Sequence, residues 1–299
     1  MNPILPTTKQ LRYFVALEKY KHFGNAARSC FVSQPAFSAA IQELESTLNV
    51  QLVDRTNKNV TITSIGKEIA IQAKLVLRDL EGLVDEARAN QKPLCGQLNL
   101  GVIPTIAPFL LPGLLPKLRK FYPDLELYLT EDLTDRVYDG LMQGDLDVIL
   151  VALPYELKNT EHLVLFRDHF HLACNKNSRL VDSNDRLVEH MPDESILLLE
   201  DGHCLRGHTL SACKIRNQDK ISHVAASSLL TLIQMVDADL GVTFIPEMAL
   251  GSPLLKNTGI ETWPMNKSSY REIGLVWRKG STRVKEFKLL AEFIKGYQK

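Results

Sequence analysis

At 299 residues, with 45% hydrophobic and 23% charged composition, the chain is too long for one small domain and apolar enough to bury a core, which excludes a mainly disordered protein. Its 35 Lys+Arg balance 35 Asp+Glu, so bulk charge does not announce a nucleic-acid partner. Five cysteines, an odd number with no CxxC among them, speak against a disulfide scaffold, a zinc ribbon or a thioredoxin-type centre.

Residues 1–92 hold 12 Lys+Arg against 9 Asp+Glu, and the remainder 23 against 26. This asymmetry is small but has the sign expected of an N-terminal DNA-binding segment. No run of about 18 apolar residues occurs, so no helix is expected to cross a membrane. Met1–Gln10 lacks the apolar core of a secretory signal, and a cytoplasmic protein is expected.

In chain order, residues 25–31 read as a short helix with small residues on one side. Val32 and Ser33 make a turn, with Ser33 as N-cap and Pro35 in the first turn of the next helix, where its missing N–H costs nothing. That helix would bury Phe37, Ala40, Ile41, Leu44 and Leu48 and turn Gln34, Ser38 and Gln42 outwards. Uncharged hydrogen-bonding side chains early in a second helix suit base edges in the major groove. Residues 51–55 and the alternating 60–63 form an expected wing, from which Arg55, Lys58 and Thr63 reach phosphates. Helix–turn–helix is also a common way to pack small helices, but the wing and the long helix after it favour DNA binding.

Residues 67–91 contain no Pro and one Gly, and read as a single helix. Ile65, Ile69, Ala73, Val76, Leu80, Leu83 and Ala87 form a narrow stripe, suited to pairing with a second copy or to lying on the helix's own domain. From residue 97 strands alternate with helices: strands at 97–103, 125–131, 147–152, 195–200 and 241–245, with a helix over 106–121. The alternation predicts an α/β domain with mostly parallel sheets, split into two lobes.

Residues 197–213 are the most informative of this second part. Cys204 follows a strand and a Gly turn and opens a helical pattern, so its thiol would feel the positive end of the helix dipole, with His203 and Arg206 beside it. Cys213 lies nine positions later, a rise of about 13 Å on a continuous helix. A disulfide needs Cα atoms about 4.4–6.8 Å apart, so the two thiols can bond only if residues 205–212 refold, which Gly207 would ease. Inert buried cysteines are the commoner reading of such a pair. A metal site from Cys204, His208 and Cys213 fits no standard zinc spacing.

Residues 17–66 resemble the LysR-type regulators at Ala26-Ala27, Ser33-Gln34-Pro35-Ala36, Ser38, Leu44-Glu45, Leu48, Asp54-Arg55, Thr63 and Gly66. Asn49 and Val53 depart from the usual Gly and Phe; Asn49 suits the same left-handed helix end. The second part is similar to the hydrogen peroxide sensors of that family at residues 101–105, Thr134, 200–206, Cys213, Arg271 and 273–278. Gly207-His208 and Ser211-Ala212 depart from their pattern.

The resemblance implies a winged helix-turn-helix head at 1–66, a dimerising linker helix at 67–92 and a periplasmic-binding-protein-like regulatory domain at 93–299. Its lobe I would span about 93–168 plus 269–299, and lobe II about 169–268. It implies that Cys204 is oxidised by hydrogen peroxide to a sulfenic acid and resolved by Cys213 to a disulfide. Thr105, Thr134, His203 and Arg271 would surround the peroxide, and Ser33, Gln34, Pro35, Ser38, Gln42, Arg55, Lys58 and Thr63 would meet DNA. The implied partners are double-stranded operator DNA, RNA polymerase and a thiol reductant such as glutaredoxin or thioredoxin. A homotetramer (a dimer of dimers) is implied, with no membrane, no cofactor, no metal and no enzymatic turnover. The rivals are a LysR-type regulator sensing a small metabolite in the inter-lobe cleft and, in another class, a thiol peroxidase. Cys30, Cys95 and Cys174 are expected to be structural.

Overall fold

The computed structural model describes residues 5–55, 60–89, 94–181 and 186–297. The chain divides into two compact units, Met1–Gln91 with Met142–Asp145, and Lys92–Leu141 with Leu146–Lys299.

In the first unit, α1 (Thr8–Tyr20) begins with a capping box in which Thr7 and Gln10 satisfy each other's backbone N–H. The next helix, α2 (Phe23–Ser29), is capped by the His22 ring, and α3 (Gln34–Leu48) by Ser33 through a long 3.5 Å bond from the Ala36 N–H. Phe14, Leu17, Ala26, Phe37, Ile41 and Leu44 are fully buried, with Tyr13 stacked on Phe37 at 5.0 Å. At the end of α3, Asn49 takes the left-handed conformation expected of it (φ 51°).

The wing is the antiparallel pair β1 (Val53–Arg55) and β2 (Val60–Ile62). Glu45 ties α3 to it by accepting the Leu52 and Val53 N–H groups at 2.8 and 3.0 Å. The long helix α4 (Ser64–Ala89) starts three residues before the expected boundary. A Cβ at Gly66 would collide with the Leu52 carbonyl oxygen, so only glycine lets α4 come this close to the wing.

The α4 stripe divides into a packed stretch and an exposed one. Ala70 and Ala73 are buried and Ile69 packs on the core of the same unit, whereas Val76, Leu80, Leu83 and Val84 are exposed. The Ala87 side chain lies outside the described residues.

The second unit runs β3 (Gly96–Val102), α5 (Ala107–Phe121), β4 (Leu125–Glu131), α6 (Thr134–Met142), β5 (Val148–Leu153) and the 16-residue β6 (Thr160–Asn175). It continues with β7 (Ile196–Leu199), α7 (Cys204–Ala212), β8 (Ile221–Ala226), α8 (Leu229–Asp237), β9 (Thr243–Pro246), β10 (Ile260–Pro264), β11 (Tyr270–Arg278) and α9 (Val284–Tyr297). The strand order is β10-β6-β11-β5-β3-β4, with β9 also on β6, and β7 pairs β8 separately.

The expectation of mostly parallel sheets fails. β3–β4, β3–β5 and β7–β8 are parallel, but β6 pairs β9, β10 and β11 antiparallel, and β11 pairs β5 antiparallel. The cause is β6, which leaves one hydrophobic core and enters another. β11 returns along it and packs into the first of these cores, while β6 alone contributes to both. One core gathers residues between Leu94 and Leu165 with Ile273–Ile294, and the other residues between Phe170 and Ala249. Among the described residues, no helix is long and apolar enough to cross a membrane.

Candidate functional site

The turn from β7 into α7 places Gly202 at φ +100°, a backbone that side-chain-bearing residues avoid. His203 is the N-cap of α7 without a side-chain cap bond, so Cys204 sits in a first turn whose amides are not taken by a capping side chain. Cys204 is partly exposed and its thiol is free.

Burial is the strongest influence on Cys204 and pushes its pKa up. The Thr134 hydroxyl, the Arg271 guanidinium and the backbone amides of Cys204 and Leu205 pull it down. The net direction is upward, so burial outweighs the helix N-terminus and the basic groups around the thiol. Arg206 does not serve this thiol. It pairs with Asp201 at 3.0 Å and donates to the Leu199 carbonyl at 3.3 Å, bracing its own loop.

Arg271 is not the surface ion pair that a lone arginine usually makes. It is 1% exposed on β11, directly opposite Asp168 of β6 in the strand register. Its Nε donates to Asp168 Oδ2 at 2.9 Å, and its two Nη atoms donate to Thr105 Oγ1 and Thr105 O, each at 2.8 Å. Nη2 also reaches Met248 Sδ at 3.5 Å, while Asp168 Oδ1 accepts the Met248 N–H at 3.0 Å. The guanidinium is therefore a fixed charge whose desolvation is offset by a carboxylate and three further acceptors.

Thr105 precedes α5 and does not cap it; Ile106 is the N-cap, and the Thr105 hydroxyl serves Arg271 instead. Thr134, the first residue of α6, is 1% exposed, and its hydroxyl faces the Cys204 thiol and bonds to no other group. That hydroxyl is poised to donate to a charged sulfur or to an oxygen in front of it.

Cys213 ends α7 as its C-cap, buried, with its pKa pushed up to about 12 by that burial. An unbroken helix thus separates two free thiols. Between them His208 is buried. Its Nε2 lies 2.9 Å from the Pro154 carbonyl oxygen, and its Nδ1 has no hydrogen-bond partner. Burial and Arg271 push the His208 pKa down, against the Pro154 carbonyl. Among the described residues, no three His, Cys, Asp or Glu side chains gather in a metal-binding group.

The structure therefore brings Cys204, Thr134 and Arg271 together, with Thr105 held on Arg271, and places His203 at the helix start. Asp168, Met248 and His208 complete the surroundings; the sequence singled out His208 only as a candidate metal ligand and did not point to Asp168 or Met248. Asp168 carried no such signal, because the charges around it interrupt the apolar run of its strand, whereas His208 stands four residues after Cys204.

In the head, Ser33, Gln34, Pro35 and Gln42 are exposed on or just before α3, and Ser38 is partly exposed on it. Thr63 departs from its expected role. Its hydroxyl donates to the Gln51 carbonyl at 2.9 Å and accepts the Gly66 N–H at 3.0 Å, so it joins the wing to the start of α4. Lys58 and the Arg55 side chain lie outside the described residues.

Comparison with known proteins adds a second line of argument. Residues 8–67 match the model of the bacterial regulatory helix-turn-helix proteins of the LysR family, and residues 91–299 the LysR substrate binding domain. The HTH-type transcriptional regulator EstR of Acinetobacter baylyi is 36% identical over 292 residues, 97% of each chain. A hydrogen peroxide-inducible genes activator of Escherichia coli O6:H1 is 37% identical over 288 residues, 96% of this chain and 94% of the relative. A full-length OxyR variant from Pseudomonas aeruginosa superposes with a TM-score of 0.81 at 33% identity, covering 98% of this chain and 95% of that one. Sequence motifs, fold and comparisons agree, and the chain belongs to the LysR family of bacterial transcription regulators.

Proposed function

We propose that this protein is a peroxide-responsive regulator that binds operator DNA through its head and senses hydrogen peroxide at Cys204. The observation that carries the reading is the meeting of a buried Thr134 hydroxyl, bonded to no other group, and the fixed Arg271 guanidinium at a cysteine in the first turn of α7. Likeness to a peroxide-inducible activator and to OxyR supports it.

The Thr105 and Thr134 hydroxyls and His203 would hold the peroxide, since a hydroxyl both donates and accepts. The Cys204 sulfur attacks one peroxide oxygen. The S–O bond forms, the O–O bond breaks, and the departing hydroxide takes the thiol proton to become water. Arg271 stabilises the sulfur anion and the leaving oxygen without giving up a proton. Cys213 then attacks the sulfenic sulfur, forming the disulfide and releasing a second water.

Nine residues of helix hold the two thiols about 13 Å apart along its axis, so disulfide formation unwinds α7. The refolded segment would repack a subunit interface of a homotetramer, change the spacing of operator half-sites and alter contacts with RNA polymerase at antioxidant genes. Pairing through α4 is supported by its exposed Val76, Leu80, Leu83 and Val84. The division of labour is a head at 1–66, a pairing helix at 67–92 and a sensing domain at 93–299. A cytoplasmic thiol reductant such as glutaredoxin or thioredoxin resets the switch.

A second reading, a regulator governed by a small-molecule ligand, is favoured by one feature. A cavity of about 570 Å³ lined by Leu153, Pro154, Tyr155, His162, Tyr270 and Glu272 has the size of a small-molecule site.

Thiol labelling with intact-mass measurement, before and after one equivalent of hydrogen peroxide, separates the two readings. Wild type should lose two labelled thiols, with Cys204 and Cys213 linked, while Cys213→Ser should stop at a one-oxygen adduct on Cys204. Thiols that stay free in excess peroxide, together with normal induction in Cys204→Ser, would sink the peroxide reading and leave the cavity as the sensor.

A further inference from the structure

We infer that His208 is the proton acceptor of the peroxide reaction: its Nδ1 takes the proton that Cys204 must lose and returns it to the departing hydroxide. The inference rests on the peroxide reading above and adds the step that reading leaves open.

Cys204 and His208 stand at i and i+4 of α7, so both side chains lie on one face, one turn apart. A helical side chain leans towards the helix N-terminus, which directs residue 208 back over residue 204. Arg271 acts electrostatically on both groups, so they share one neighbourhood. The Nε2–Pro154 contact fixes the tautomer: a carbonyl oxygen only accepts, so Nε2 carries the hydrogen and Nδ1 carries the lone pair. That lone pair belongs to a side chain 9% exposed and has no donor. A buried acceptor without a donor costs free energy, and a donor arriving there recovers it. A nucleophile, a base and a carbonyl that orients the base are thus in place, the arrangement by which weak nucleophiles are activated.

A base is required because the thiol is protonated at neutral pH, burial having raised its pKa. His208 is neutral there for the matching reason, its pKa being lowered. The facing groups are Arg271 from β11, Cys204 on the same helix, and Tyr155 next to Pro154. Tyr155, pushed up to about 12, stays neutral.

No direct hydrogen bond joins Nδ1 to Cys204, so the proton passes along the bound peroxide. The thiol proton moves to Nδ1 as sulfur attacks, the S–O bond forms, the O–O bond breaks, and the imidazolium protonates the leaving hydroxide. His208 ends neutral, and the products are the sulfenic acid and one water.

The test is the pH profile of Cys204 oxidation by hydrogen peroxide in the full chain, followed by rapid thiol quenching from pH 5 to 9. With the relay, the rate is level across pH 7–8.5 and falls in acid with a midpoint below about 6.5, the ordinary histidine value. His208→Gln keeps an N–H for the Pro154 carbonyl but cannot take up a proton. Its rate should drop about 100-fold at pH 7 and then climb about tenfold per pH unit. A wild-type rate that itself climbs tenfold per unit between pH 7 and 8.5 would overturn the relay without any variant. So would a His208→Gln profile that superposes on wild type. If wild-type Cys204 is not oxidised at all, the peroxide reading falls first and takes the relay with it.

Discussion

α3 and α7 carry the residues proposed to meet DNA and peroxide, and they are built in opposite ways. α3 has 15 residues, a Ser33 cap, Pro35 in its first turn, a left-handed Asn49 at its end, and Phe37, Ile41 and Leu44 in the core. α7 has nine residues, no side-chain cap, and Gly207 in open space where a Cβ would meet nothing within 4 Å. A helix that short is marginal by itself and depends on its neighbours. The element that must present a fixed surface is secured by its own sequence. The element that the proposed switch unwinds is held by contacts elsewhere, such as the Pro154 carbonyl on His208 and the Ser269 hydroxyl on the Ala212 carbonyl.

The largest test of this contrast concerns the surroundings of α7. Arg271→Met leaves Asp168 buried without its cation and should cost the regulatory unit about 3–5 kcal/mol, read from its urea unfolding transition. An unchanged midpoint would mean that the frame around α7 is as yielding as α7. In the head, Ser33→Ala removes the cap of α3 and should cost about 1 kcal/mol, read as a lower melting transition of the head. A loss of zero would show that core packing alone holds α3. The smallest change is expected in α7 itself. Gly207→Ala should stabilise the helix by about 0.8–1 kcal/mol, which favours the dithiol over the disulfide by about fivefold. A glutathione redox titration measures that ratio, and a shift towards the disulfide would contradict an unwinding switch.

Much of the head was legible because its signals are local. Caps, Pro35, the left-handed Asn49 and the apolar spacing all lie within a few residues of what they control. The same held for α5, where the Leu110, Leu114 and Leu118 spacing outweighed Pro112 and Pro116 inside the helix. β6 was missed because Arg167, Asp168, His169 and His171 interrupt its apolar run. Strand direction was misread because a parallel sheet was inferred from alternation, while the return of β11 beside β6 is a long-range pairing. Thr63 was placed at phosphates as part of the expected wing; only the fold shows its hydroxyl bonded to Gln51 and Gly66.

By itself the sequence determined the family, the helix-turn-helix, the position of Cys204 at a helix start and the helical distance to Cys213. These follow from contiguous residues and from fixed rises per residue. The tertiary structure alone decided which charges and hydroxyls surround the thiol. Thr134 and Arg271 act on the thiol, Thr105, Asp168 and Met248 hold Arg271, and the five come from separate stretches of chain. The register of β6 and β11 and the entries to α5 and α6 bring them to one point. It also decided the sign of the Cys204 pKa shift, because desolvation depends on everything packed around a group and not on its neighbours in the chain.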